Sequence, residues 1–190
     1  MPNSAIAQGS TFTVFGSGLG PASIQFVAKF PVAPTLAGTS VNITAGGKTV
    51  RAPVLFTLAS QVAAIMPSTT PAGSATVSVT YNGATSQEYP IQVVSSSFGA
   101  FTVNSQGTAT GVIADVNNRI FFGNSAALAG DVAIIWGTGL GPVPYDDADQ
   151  PQTINQIDIP AELYVGDQRV TPIYQGLSGA ARASIRLCSM

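Results

Sequence analysis

Apolar residues in this chain come in short runs cut by Gly, Pro and Asn, and they nowhere sustain the three-and-four spacing of a helix. The pattern predicts strands over 11–15, 40–44, 49–56, 61–65, 75–81 and 88–94. A second set is expected over 111–116, 119–122, 132–136, 161–165 and 169–174. Residues 75–81, Ala-Thr-Val-Ser-Val-Thr-Tyr, alternate small or apolar side chains with hydroxyls, as a strand with one wet face requires. Asn82-Gly83 follows at once. That pair suits a type I′ turn, in which both central residues need positive φ, so the two strands after Pro67 should form a hairpin. The strand spacing and turn chemistry fit β-sandwich modules better than a barrel. Residues 95–107, rich in Ser, Gly and Asn, mark the boundary between a first module over 1–96 and a second over 97–190.

The chain also repeats itself. Gly9-Ser-Thr-Phe-Thr-Val-Phe15-Gly16-Ser17-Gly18-Leu19-Gly20-Pro21 returns as Gly130-Asp-Val-Ala-Ile-Ile-Trp136-Gly137-Thr138-Gly139-Leu140-Gly141-Pro142. A turn that shapes a repeated β-module is present in every copy, whereas a catalytic loop rarely needs a twin. Gly16, Gly18, Gly20, Gly137, Gly139 and Gly141 are therefore expected to supply positive φ or close backbone approach, with Leu19 and Leu140 plugging the sandwich ends. The segment starting at Val41 corresponds to the one starting at Leu163, through a hairpin three residues shorter. The first copy runs on after Met66 through the Asn-Gly hairpin and the second stops. The second module is thus read as incomplete at its C-terminus.

These glycine loops resemble the signature of IPT/TIG immunoglobulin-like domains. Gly-Thr-Gly-Leu-Gly-Pro at 137–142, the preceding Ala129-Gly130-Asp131 and the hairpin wording are similar, more narrowly, to the Solibacter-type C-terminal domain family. The resemblance runs from about Gly9 onward. It implies tandem immunoglobulin-like sandwiches in a bacterial protein that is secreted or borne on the cell surface, and it implies no catalytic residue. The chain departs from it at residues 181–190, Ala-Arg-Ala-Ser-Ile-Arg-Leu-Cys-Ser-Met. A plausible coding string for those residues, read two bases later, spells Pro-Gly-Leu-Asp-Gln-Ile-Met-Phe-Asn, close to the family's strand. An out-of-frame tail is the expectation there.

Composition narrows the function. Only 8% of the 190 residues are charged, against about 25% in ordinary soluble domains, and the formal net charge is -2. Such a surface attracts neither nucleic acid nor anionic lipid strongly. No apolar window reaches the roughly 20 residues of a membrane helix, and residues 1–8 lack the pattern of a signal peptide. The chain has no His, which removes imidazole bases, His-based triads and His-rich zinc sites. Cys188 is alone, so it forms no intrachain disulfide and has no His partner to activate it.

What remains is thin as chemistry. The glycine loops are no dinucleotide fingerprint, because Pro21 or Pro142 follows at once and no crossover helix is available. Phe15 and Trp136 could stack on sugars but are expected in the core. Asp146, Asp147 and Asp149 group hard oxygen ligands that suit Ca²⁺, yet they lack the spacing of a calcium loop and read as a solvated acidic turn. Asn42-Ile43-Thr44 matches a glycosylation sequon but sits on a predicted strand. The expectation is a non-enzymatic extracellular or cell-surface segment of a larger secreted protein, acting as spacer, adhesion or binding module without cofactor. Its partners would be other domains of that protein, or an extracellular protein or polysaccharide. The alternative is a carbohydrate-binding or accessory module of a secreted hydrolase.

Overall fold

The alternation is realised as strands throughout a computed structural model that describes residues 5–150, 154–155, 160, 162–178 and 181–187, and no helix occurs among them. Contacts divide the chain into two units, Met1–Ser97 with Gly141–Gln150, and Phe98–Leu140 with Pro151–Met190. The segment Gly141–Gln150 belongs to the first unit.

The first unit holds β1 (Ala5–Ala7), β2 (Thr11–Phe15), β3 (Gln25–Phe26), β4 (Thr39–Ala45), β5 (Lys48–Ala52), β6 (Val54–Leu58), β7 (Gln61–Ile65), β8 (Gly73–Tyr81), β9 (Ala84–Thr85) and β10 (Tyr89–Val94). One sheet runs β1-β10-β8-β4-β5, with β9 beside β8, and the other runs β2-β7-β6-β3. Their inward faces share one core. Val41 and Ile43 of β4, Val77 and Val79 of β8 and Ile91 and Val93 of β10 belong to it, together with Val54, Val62, Ala64 and Met66. The outward residues of β4 and β8 carry hydroxyls that pair with neighbours, Thr44 Oγ1 with Thr49 Oγ1 at 2.8 Å and Thr80 Oγ1 with Thr85 Oγ1 at 2.9 Å. Hydroxyl pairs thus supply much of the polarity on the outward face of this sheet.

The expected strand over 49–56 is two strands, because the chain leaves one sheet at Ala52 and enters the other at Val54. Pro53, which has no N–H for a ladder, occupies the crossing. Asn82 (φ 46°) and Gly83 (φ 86°) turn β8 into the short β9, and β10 then pairs with β8 from Tyr89 opposite Val77.

The second unit holds β11 (Gly99–Ala100), β12 (Ile113–Ala114), β13 (Ala133–Thr138), β14 (Ile154–Asn155), β15 (Leu163–Val165), β16 (Gln168–Val170), β17 (Pro172–Ser178) and β18 (Ala181–Leu187). Its main sheet runs β11-β13-β18-β17-β14, with β12 on β13, and β15 with β16 forms a separate hairpin. The first seven residues of the divergent tail therefore supply a strand between two others, while Cys188 and the two residues after it lie outside the described residues. The expected strand over 169–174 is likewise divided between β16 and β17, and that over 111–116 shortens to β12.

No strand forms over 119–122. The Asp115 carboxylate accepts the N–H groups of Asn117 (2.8 Å) and Arg119 (2.9 Å), and Asn118 takes φ 62°, so the segment closes into a turn instead. The N–H of Arg119 is the first of the contacts that hold the Asp115 carboxyl below the usual carboxylate range.

Among the described residues, Leu140 is the centre of a small apolar cluster in the second unit, touched by Ile135 and Leu163, whereas the first unit has an extended core. Since local opening follows buried apolar contact, the second unit is expected to open first. Amide hydrogen exchange checks this: β13 should lose protection before β4 and β8, and equal protection in the two units would contradict it.

Candidate binding surfaces

The glycine loops are structural where the first unit shows them. Gly18 has φ 67° and Leu19 is buried in the core, with its N–H on the Ala59 carbonyl at 3.1 Å and the Gly16 N–H on the Ser60 carbonyl at 3.0 Å. The loop thereby caps the turn between β6 and β7. A Cβ on Gly20 would fall on the Thr57 hydroxyl and lie 3.0 Å from the Leu58 carbonyl oxygen. Thr57 and Thr39 are both fully buried, their hydroxyls 2.9 Å apart, and Thr39 Oγ1 also donates to the Leu19 carbonyl at 3.2 Å. A polar link between the sheets thus holds the loop in place. In the twin, Gly139 has φ 90°, Gly141 has φ 124° and Leu140 is buried. A Cβ on Gly137 would meet the Phe98 ring and the Gly99 carbonyl.

Phe15 is not a core residue. It is 75% exposed, because β2 turns Phe12 and Val14 inward and Phe15 outward, while Trp136 is half-buried. On the same outer face Phe26 stands opposite Phe56, the ring centroids 5.8 Å apart, and Phe26 is 63% exposed. Phe15 pairs with Gln61, which pairs with Leu58, so it lies in a different row from Phe26. The two exposed rings therefore do not make a continuous stacking platform. Phe15→Ser is expected to shift the denaturation midpoint little, by about 0.5 kcal/mol or less, as for exposed positions in general. A loss of several times that size would show the ring to be packed.

The acidic loop gives a different picture from the solvated turn expected of it. Asp147 is 5% exposed and accepts the Ser68 N–H at 2.6 Å on one oxygen and the Ser68 hydroxyl at 3.1 Å on the other. Ser68 Oγ in turn accepts the N–H of Val143 at 2.9 Å, and the Val32 N–H donates to the Ala148 carbonyl at 2.7 Å. Asp146 caps the N–H of Ala148 at 2.9 Å, and Asp149 is exposed. The three carboxylates do not converge: among the described residues no group of three His, Cys, Asp or Glu side chains is placed to hold a metal ion. Gly9 completes the seam. Its φ is 69°, and a Cβ there would stand 2.6 Å from the Gly141 carbonyl oxygen.

Val32, Val143, Asp146, Asp147 and Ala148 of this seam also line a cleft of about 830 Å³ that lies wholly within the first unit. Pro31, Pro34, Pro53, Pro67 and Pro144 line it with Val32 and Val143, a stiff apolar surface whose backbone has little freedom left to lose. Arg51 supplies a cation, Asp146 an anion, and Thr69 and Tyr145 hydroxyls. The lining has no Ser, Cys or His. Sequence reading singled out Asp146 and Asp147 but not the cleft, because its walls come from four separate stretches of chain. Comparison with family models, curated proteins and solved structures finds no match, so the family resemblance rests on the motifs of the chain itself.

Proposed function

We propose that this chain is a non-enzymatic binding segment of a larger extracellular or cell-surface protein, built from two immunoglobulin-like modules of the IPT/TIG kind. The observation that carries the reading is the cleft of the first unit. It is a preformed concavity with mostly apolar walls and a few charged and hydroxyl groups, the usual character of a ligand site. The absence of His from the chain and of Ser and Cys from the cleft lining favours binding over turnover. The paucity of basic residues disfavours nucleic acid as the partner.

The alternative, an accessory module that holds polysaccharide for a hydrolase, draws on the exposure of Phe15 and Phe26. Both readings are tested by one panel of soluble oligosaccharides and peptides followed by heteronuclear NMR on the intact chain. The cleft reading expects a ligand to move the amides of Val32, Arg51 and residues 145–148. The accessory-module reading expects oligosaccharide to move Phe15 and Phe26 instead. Turnover that survives repurification and is abolished by a point mutation would overturn the non-enzymatic assignment.

A further inference from the structure

The two units repeat one strand order. β2-β7-β6-β3 in the first and β13-β18-β17-β14 in the second are both antiparallel throughout, and β2 and β13 each carry a copy of the glycine loop at their end. The hairpin of β15 and β16 matches that of β4 and β5, the segment from Leu163 corresponding to the one from Val41. In the first unit β4 is flanked by β5 on one side and by β8 on the other. In the second, among the described residues, β15 pairs with β16 alone.

Backbone and side chains both show the difference. The hairpin turns through Gly166 (φ 57°) and Asp167, with Val165 opposite Gln168. The closing pair of a two-residue hairpin exchanges both ladder hydrogen bonds, so Leu163 and Val165 bond to β16 while the N–H and C=O of Tyr164 face the open side. The same alternation turns Asn42 and Thr44 of β4 toward β8, opposite Ser78 and Thr76. Leu163 packs on Leu140, as Val41 shares a core with Leu19. Yet Leu163 and Val165 are only half-buried, whereas Val41 and Ile43, beside Val79 and Val77 of β8, are fully buried.

We propose that β15 is a docking edge for an extended, uncharged strand of a partner polypeptide, apolar at every second residue with hydroxyls between, which covers the second unit as β8 covers the first. The chain itself supplies the template. β8 has no charged residue, turns Ala75, Val77 and Val79 into the core and alternates them with Thr76, Ser78 and Thr80. The charges on the receiving hairpin suit such a strand, because Glu162 and Arg169 pair with each other at 3.5 Å and only Asp167, at the turn, is left over. A second copy of this chain is a poor occupant: its β8 is already held between β4 and β10, and β15 against β15 joins only three residues a side, far short of the roughly 1,200 Å² of a stable interface. Backbone pairing with Tyr164 gives affinity, and the apolar positions beside Leu163 and Val165 give selectivity. The edge belongs to the second unit, so the inference stands apart from the cleft.

The test uses the intact chain and an acetylated, amidated peptide of the β8 sequence, Gly73–Tyr81, measured by calorimetry and amide hydrogen exchange. Binding is expected, with new protection at Tyr164. Val77→Asp with Val79→Asp in the peptide should weaken it by about tenfold or more, since apolar burial is lost and charge is brought to the covered face. N-methylation of the peptide at Thr76, Ser78 and Thr80, the residues that face β4 in the first unit, should also abolish pairing, whereas N-methylation at Val77 and Val79 should leave it in place. Tyr164→Pro removes the outward N–H and no ladder bond to β16, and should weaken binding; if that variant does not fold, the methylated peptides decide. Absence of binding would overturn the inference, as would equal binding by both methylated peptides or by a peptide of the same composition without the alternation. Protection confined to the first unit, or concentration-dependent dimers that protect Tyr164 without peptide, would overturn it as well. Any of these results leaves the reading of the cleft to its own test.

Discussion

Replacing Gly20 with alanine is expected to destabilise the first unit by about 1–3 kcal/mol, the usual range for forcing an extra carbon into a packed interior. The added Cβ meets the buried Thr57 hydroxyl and the backbone of Leu58, and neither is the free end of a flexible side chain. Relief would require Thr57 to move, which breaks its bond to Thr39 and loosens the Thr39 bond to the Leu19 carbonyl. Gly18→Val should cost a similar amount by another route, since nothing crowds its position but a β-branched side chain at φ 67° is strained. Gly99→Ala is the control, with no neighbour within 4 Å and no positive φ. Denaturation midpoints decide. If Gly20→Ala and Gly99→Ala behave alike, the loop is not held as described.

The second large effect is expected at Asp147. Its carboxylate is buried and bonded to both the backbone and the hydroxyl of a residue 79 positions away. Asp147→Ala leaves the Ser68 N–H without that acceptor and releases Gly141–Gln150 from the first unit, at a cost of about 2–3 kcal/mol for hydrogen bonds to a charged group. The loss should be accompanied by altered amide shifts at Val32, whose N–H bonds the Ala148 carbonyl in the same seam. Asp149→Ala, on an exposed side chain, should do little. Equal midpoints for the two variants would mean that the loop is not tethered through Asp147.

The sequence was most legible where a strand is flanked by its own turns. The bounds of β2 and β7 are those expected from 11–15 and 61–65, and the Asn82-Gly83 turn forms with both residues at positive φ. It was misleading where local pattern leaves the partner open. The strand-like pattern over 49–56 does not reveal that the chain changes sheets at Pro53. Alternation through 11–15 separates two faces, but it does not tell that the outer one carries Phe15. Residue type alone therefore does not place an aromatic of a strand in the core. The cleft was illegible for a different reason: Arg51, Pro67 and Asp147 are brought together by long-range topology, and no periodicity connects them. Gly20 was readable as a special position, though not the Thr57 hydroxyl that makes it so.

The cleft is the centre of this account, and its most direct test is a heteronuclear NMR titration of wild-type chain and Asp147→Ala with the same ligand. The account predicts that a ligand moving Val32, Arg51 and residues 145–148 in the wild type moves them far less in the variant, while amides of β8 report an intact sheet. Undiminished binding by a folded variant, or shifts confined to other parts of the chain, would contradict it.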